Sequence, residues 1–162
     1  MRLVLALFLV VTFALLPACA KKSTINTSSG PVTVTEQNGV KQVTMKSSEG
    51  TTKIGEGVVD PNSLGLPVYP GATPSKSGAF SSQTKMGGAQ VVTIETTDSF
   101  DKVYAFYHAK MPPGTEKMKV AAAGASMATF QIGGDKDKSH KGVSIVTAPG
   151  KTSITLMVSS SP

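Results

Sequence analysis

The chain offers few residues whose type and spacing could do chemistry, and its one cysteine, Cys19, stands out among them. An apolar run of 14 residues, Leu3–Leu16, precedes Cys19, and a single basic residue, Arg2, precedes that run. The composition turns polar directly after Ala20, where Lys21 begins a stretch rich in lysine, serine and threonine. Because the sequence has no second cysteine, an intramolecular disulfide is excluded. Cys19 is then either a buried, inert thiol or an attachment point, and its place at the end of an apolar run favours attachment.

Residues 1–18 have the three parts of an export signal: a charged start, an apolar run and a small-residue cleavage site. The apolar run is shorter than the roughly 20 residues that a helix needs to cross a bilayer. Leu16-Pro17-Ala18-Cys19 resembles the lipobox of bacterial lipoproteins, which implies a thioether-linked diacylglycerol and an acyl chain such as palmitate on Cys19. The alternative is cleavage after Ala20, because Ala18-Cys19-Ala20 also fits the pattern of ordinary signal peptides. That route would release a soluble protein.

The lipobox interpretation makes the membrane a partner of this chain through a lipid anchor at Cys19. The following residue, Ala20, is not the aspartate associated with inner-membrane retention in double-membraned bacteria. This favours the cell envelope, on the periplasmic side of the outer membrane rather than at the inner membrane.

The other candidates for chemistry are the two histidines and one acidic loop. Neither His108 nor His140 has an evident orienting partner, which a nucleophilic or acid–base site would need. The segment 135–139 resembles the start of a calcium loop, but its sixth position is His140 instead of glycine and its twelfth is Val146 instead of glutamate. The sequence therefore predicts no catalytic residue, no metal site and no cofactor.

The charge balance argues against nucleic acid as a partner. After residues 1–18 are removed, the chain has 15 lysines and 10 acidic residues, which gives a net charge of 15 − 10 = +5. The lysines are scattered along the chain and form no basic stripe or known nucleic-acid motif.

The composition after the signal predicts three further segments. Residues 19–31 are small and polar with one large apolar residue, Ile25, so we expect a flexible tether. In residues 32–57, apolar and polar residues alternate between turns at Asn38-Gly39 and Glu49-Gly50. This pattern predicts a small β-meander that is mostly polar on both faces. Residues 58–162 form the predicted main domain.

The main domain is predicted to be two-layer α+β. A strand over 88–96 leads to a helix that begins at Asp98 or Ser99, carries apolar residues at helical spacing from Phe100 to Met111 and stops at Pro112-Pro113. Four strands follow, over 116–121, 127–132, 143–147 and 153–158, and their short connections require antiparallel pairing. The expected fold is an antiparallel sheet of about five strands in the order β-α-β-β-β-β, with one long helix on one face, preceded by the polar meander.

Three short motifs carry a resemblance: Leu66-Pro67-Val68-Tyr69-Pro70-Gly71-Ala72, then Thr96–Phe100, then Val103 with Phe106-Tyr107. Over about residues 32–158 the chain is similar to a group of uncharacterised bacterial envelope lipoproteins with a YPGA segment and a D-S-F…V…F-Y helix. The resemblance implies a location and a fold, and it implies no activity.

The sequence thus favours an exported, membrane-anchored lipoprotein that is not an enzyme and serves as a binding or assembly module, with a possible envelope protein as partner. One alternative is a small secreted enzyme that uses His108 with Tyr107 or Asp101. The other is a soluble carrier whose apolar ligand lies in a cavity lined by Phe100, Tyr104 and Phe130.

Overall fold

A computed structural model describes residues 20–37, 39–122, 124–134 and 137–162 of the chain, without the side chain of Ser77. Cys19 and the predicted signal peptide lie outside the described residues. Within these ranges the chain forms one antiparallel sheet of ten strands and one α-helix. The elements are β1 Lys21–Thr27, β2 Gly30–Gln37, β3 Val40–Lys46, β4 Gly50–Gly55, β5 Thr73–Thr84, β6 Gly87–Thr96, α1 Phe100–Lys110, β7 Glu116–Ala122, β8 Ala125–Ile132, β9 Ser139–Ala148 and β10 Lys151–Ser160, with a 3-10 turn at Pro61–Leu64.

The strand order across the sheet is β1-β2-β3-β4-β5-β6-β10-β9-β8-β7, and every neighbouring pair except β6–β10 is consecutive in the chain. The predicted two-layer α+β fold with about five strands is therefore wrong. The predicted meander is not a separate unit, because β4 pairs with β5 and so joins the same sheet as the C-terminal strands. The helix is also short, at 11 residues, and spans only about 16 Å.

The sequence predicts a flexible tether over residues 19–31, and the structure instead has a strand there. β1 pairs with β2 along its whole length, from Lys21 opposite Glu36 to Thr27 opposite Gly30. All seven residues of β1 are exposed, so backbone hydrogen bonds and β-branched side chains hold the strand, and burial does not. Gly30 permits the hairpin because its φ is +125° and an added Cβ would lie 2.0 Å from the carbonyl oxygen of Lys46.

The hydrophobic core lies between α1 and the face of the sheet that it covers, here called the inner face. Two rows of inner-face residues cross the sheet in direct register, and all of them are buried: Phe130, Val143, Leu156 and Val92, then Ala128, Ile145, Ile154 and Ile94. The helix adds Phe100, Val103 and Tyr107 to this core, and the segment over residues 58–72 adds Val59, Leu64, Leu66 and Tyr69. Each large side chain buried in this way contributes about 1.5–3 kcal/mol.

The helix begins and ends as its sequence predicts. The Ser99 side chain accepts a hydrogen bond from the Lys102 N–H, and Asp101 lies in the first turn, where a negative charge is favourable. The chain leaves the helix at Met111, directly before Pro112. The predicted helix and the four strands that follow it are confirmed locally, although they belong to a larger sheet. No helix among the described residues is long and apolar enough to cross a membrane.

Candidate functional site

The first described strand begins close in sequence to the predicted lipidation site. Cys19 itself is outside the described residues, but the strand β1 begins at Lys21, only two residues later. Two residues span at most about 7 Å. A lipid on Cys19 would therefore hold the edge strand, and not the end of a long linker, close to a membrane surface.

The described part of the chain joins two of the sequence motifs through one hydrogen bond. The Tyr69 hydroxyl donates to Asp98 Oδ2 at 2.7 Å, and Lys102 Nζ donates to Asp98 Oδ1 at 3.0 Å. Burial and the bond to Asp98 raise the pKa of Tyr69 to about 12. The bonds from Tyr69 and Lys102 hold the pKa of Asp98 below its ordinary value. This pair links the Pro-rich segment to the start of α1, so its role is structural.

His108 is exposed and does not contact the residues that the sequence pairs with it in the enzyme alternative. Tyr107 is fully buried in the core, and Asp101 lies two helical turns away, at about 10 Å along the axis. His108 Nε2 instead lies 3.8 Å from Glu116 Oε2, a distance too long for a hydrogen bond.

The same glutamate accepts a hydrogen bond of 2.8 Å from the Tyr104 hydroxyl, and this bond raises the pKa of Tyr104. Lys119 Nζ lies 3.6 Å from the centroid of the Tyr104 ring. His108 and Glu116 border an open depression of about 380 Å³ at the end of α1. The cluster is a solvated arrangement of surface side chains, in which no group is held for proton transfer.

The three rings of the carrier alternative lie together and contact one another. Phe100 stacks on Tyr104 with ring centroids 6.0 Å apart, and Tyr104 lies 6.0 Å from Phe130. Phe100 and Phe130 thus each pack against the Tyr104 ring.

The described residues show no metal-binding cluster: nowhere do three or more histidine, aspartate or glutamate side chains converge. Two residues of the calcium-like loop, Asp135 and Lys136, lie outside the described ranges. The next acidic residue, Asp137, accepts a hydrogen bond from the backbone N–H of Gly134, which is typical of a turn.

The face of the sheet opposite α1, here called the outer face, carries an apolar row that sequence reasoning missed. Six adjacent strands each place one apolar residue in direct register, and together these residues form the outer row: Val34, Val43, Ile54, Phe80, Val91 and Met157. Ile54 is 41% exposed and Met157 is 49% exposed. The prediction that the meander is mostly polar on both faces is therefore wrong, since its strands are apolar on this side.

Two observations in the sequence could have pointed to the outer row. Val32 and Val34 alternate with threonines, and Val43 and Met45 follow the same period. The sequence analysis did not predict β5. Its residue Phe80 connects the apolar residues of the meander to those of the C-terminal strands. Comparison with protein-family models, with curated proteins and with solved structures finds no match for this chain.

Proposed function

We propose that this protein is an exported, lipid-anchored component of a bacterial cell envelope, and that its sheet is a non-catalytic binding or assembly surface. The observation that carries the binding role is the outer row, a line of exposed and half-buried apolar side chains across six strands that no other described element covers. Exposed apolar patches of this extent are typical of interaction sites on soluble domains. The described titratable groups, by contrast, support no reaction.

The sequence around Cys19 supports the anchoring part of the proposal, as does the resemblance to envelope lipoproteins. Two or more acyl chains anchor a protein stably, because each buried CH₂ contributes about 0.8 kcal/mol. Lys21 and Lys22 follow Cys19 directly, and lysines at this position add an attraction to anionic headgroups of about 1 kcal/mol each.

Metabolic labelling with radioactive palmitate tests the anchor. The full chain and its Cys19→Ser variant are expressed in a bacterium with an outer membrane, and the label on each is compared. We expect the label and the membrane fractionation of the protein to be lost in the variant. A Ser23→Cys, Cys19→Ser double variant is the matched control, since it restores a thiol nearby without restoring the lipobox. Equal labelling of the full chain and of Cys19→Ser would refute the anchoring proposal.

A further inference from the structure

The outer face is uncharged over a wide area around the outer row. Two successive rows across β1–β6 and β10, and a third row on β1, β2, β4, β5 and β6, contain no charged residue. The outer row continues onto β1 at Ser23. The second row runs from Ile25 through Val32, Met45, Thr52, Ser82 and Ala89 to Ser159, and the third includes Thr27, Gly30, Gly50, Thr84 and Gly87.

The charged residues of the first four strands lie elsewhere. Lys22, Lys46 and Lys53 point to the inner side of the sheet, since they pair in register with inner-face positions. The charges that share the outer face lie beyond the uncharged rows, namely Lys21 with the Glu36–Lys41 pair at one place and the Glu95–Lys151 pair at another. The outer face thus has an uncharged area that is bordered by charged residues.

From this distribution we infer that the outer face packs against the outer face of a second copy of this chain, related to the first by a twofold axis. A twofold interface brings the same patch of each copy together. A patch with lysines would repel itself in such an interface, whereas an uncharged patch with apolar rows is compatible with itself. This inference specifies the assembly role proposed above and is independent of the anchor.

The size of the patch matches what a stable dimer needs. Strands lie about 4.8 Å apart and rows about 6.7 Å apart, so two rows on seven strands and a third row on five strands cover roughly 600 Å². Such a patch would bury about 600 Å² on each copy, or about 1,200 Å² in total, which is the lower end of the usual range for specific interfaces of 1,200–2,000 Å². Two twisted sheets pack face to face about 10 Å apart, with their strands within about 30° of each other.

The surface shape of the outer face is also suited to packing against a second copy. A shallow depression of about 230 Å³ lies on this face, and its lining includes Val32, Met45 and Thr52. Met45 and Met157 are exposed on this face, to 37% and 49%, and methionine side chains adapt readily to an irregular surface.

The oligomeric state of the protein tests the inference. The full chain is purified from membranes in a mild detergent, and its mass is measured by sedimentation equilibrium with the detergent contribution matched out. We expect a dimer with a Kd of about 1 μM or tighter, as for interfaces of this size. Ile54→Lys, in the centre of the outer row, should weaken the dimer about 100-fold or more, because it buries an unpaired charge. Thr44→Lys, which lies on the inner side of the adjacent strand, should leave the dimer intact.

Circular dichroism of both variants shows whether each has kept its sheet. A cross-linking measurement provides a second test, which does not require a substitution that disrupts the interface. Ile54→Cys and Lys53→Cys are compared in a Cys19→Ser background with a bis-maleimide of about 10 Å reach, the spacing of two packed sheets. Only Ile54→Cys should cross-link efficiently. A monomer at about 10 μM, a dimer that Ile54→Lys does not weaken, equal cross-linking of both cysteines, or a monomer that binds only lipid vesicles or another envelope protein would each overturn the inference. Palmitate labelling reports on the anchor alone, so the two proposals fail separately.

Discussion

Two tyrosines of the core should respond in opposite directions to the same chemical change, the loss of a hydroxyl. Tyr107 is fully buried, and its hydroxyl faces the Tyr69 backbone without reaching a hydrogen-bond partner. A buried hydroxyl without a partner costs roughly 1–3 kcal/mol in proteins. We therefore expect Tyr107→Phe to raise the free energy of unfolding by about 1 kcal/mol, at the low end because loss of the hydroxyl oxygen leaves a small cavity.

Tyr69→Phe removes a hydroxyl that donates to the Asp98 carboxylate at 2.7 Å. Hydrogen bonds to charged groups contribute about 1.5–3 kcal/mol. The lower end applies here, because the Asp98 side chain is 34% exposed and keeps its contact with Lys102. We expect Tyr69→Phe to lower the free energy of unfolding by about 1.5 kcal/mol, so the two variants should differ by about 2.5 kcal/mol.

Urea unfolding at pH 7, followed by far-ultraviolet circular dichroism, measures both changes, and equal m values would show that the same surface is exposed on unfolding. A change of about 1 kcal/mol in the free energy of unfolding shifts the melting temperature by about 2–4 °C for a chain of this size. A Tyr107→Phe variant that is less stable than the wild type by 1 kcal/mol or more would refute the reasoning, since it would mean that the Tyr107 hydroxyl has a partner.

Four further changes follow from the same structure. Because the pKa of Asp98 is lowered in the folded state, its contribution to stability is present above about pH 4 and is lost as the pH falls further, so the urea midpoint of Asp98→Asn should depend less on pH below 4. The raised pKa of Tyr69, about 12, means that the wild type should lose stability above about pH 10 that Tyr69→Phe does not lose. Leu156→Ala, at a fully buried position, should lower the free energy of unfolding by about 2–5 kcal/mol in urea titrations. Gly30→Ala, whose Cβ would meet the Lys46 carbonyl at 2.0 Å, should lower the melting temperature more than Gly150→Ala, which meets no atom within 4 Å; equal losses would contradict this account of the hairpin.

Local sequence was sufficient for the parts of the fold whose apolar residues repeat with a clear period. The helix α1 could be predicted because Phe100, Val103 and Tyr107 recur at helical spacing, and because Pro112 stops the helix. The strands β8, β9 and β10 could be predicted because buried residues recur along each of them, whereas β7, which has no buried residue, could be located by the turn at Gly124 that follows it.

The strands β1 and β5 could not be predicted in the same way, because what stabilises them lies in their neighbours. β5 is rich in serine and threonine, and its registers with Ile54 on one side and Val91 on the other are not visible in its own composition. When β5 is not recognised in the sequence, nothing connects the meander to the main sheet, and the sequence predicts two separate units. The Tyr69–Asp98 pair joins residues 29 positions apart, which no local period indicates.

The exposed first strand also has a mechanical consequence. β1 has no buried residue, and β2, β3 and β4 have none either, so each of these strands is held mainly by the hydrogen bonds to its neighbours. In an anchored protein, a force between membrane and domain would act first on Lys21 and would peel β1 from β2 before it reached the core. Each released strand of seven residues would add about 25 Å of reach. The strands at the edge of the sheet would then form an extensible connection between membrane and domain. Its length would depend on the applied force, unlike that of a linker of fixed length.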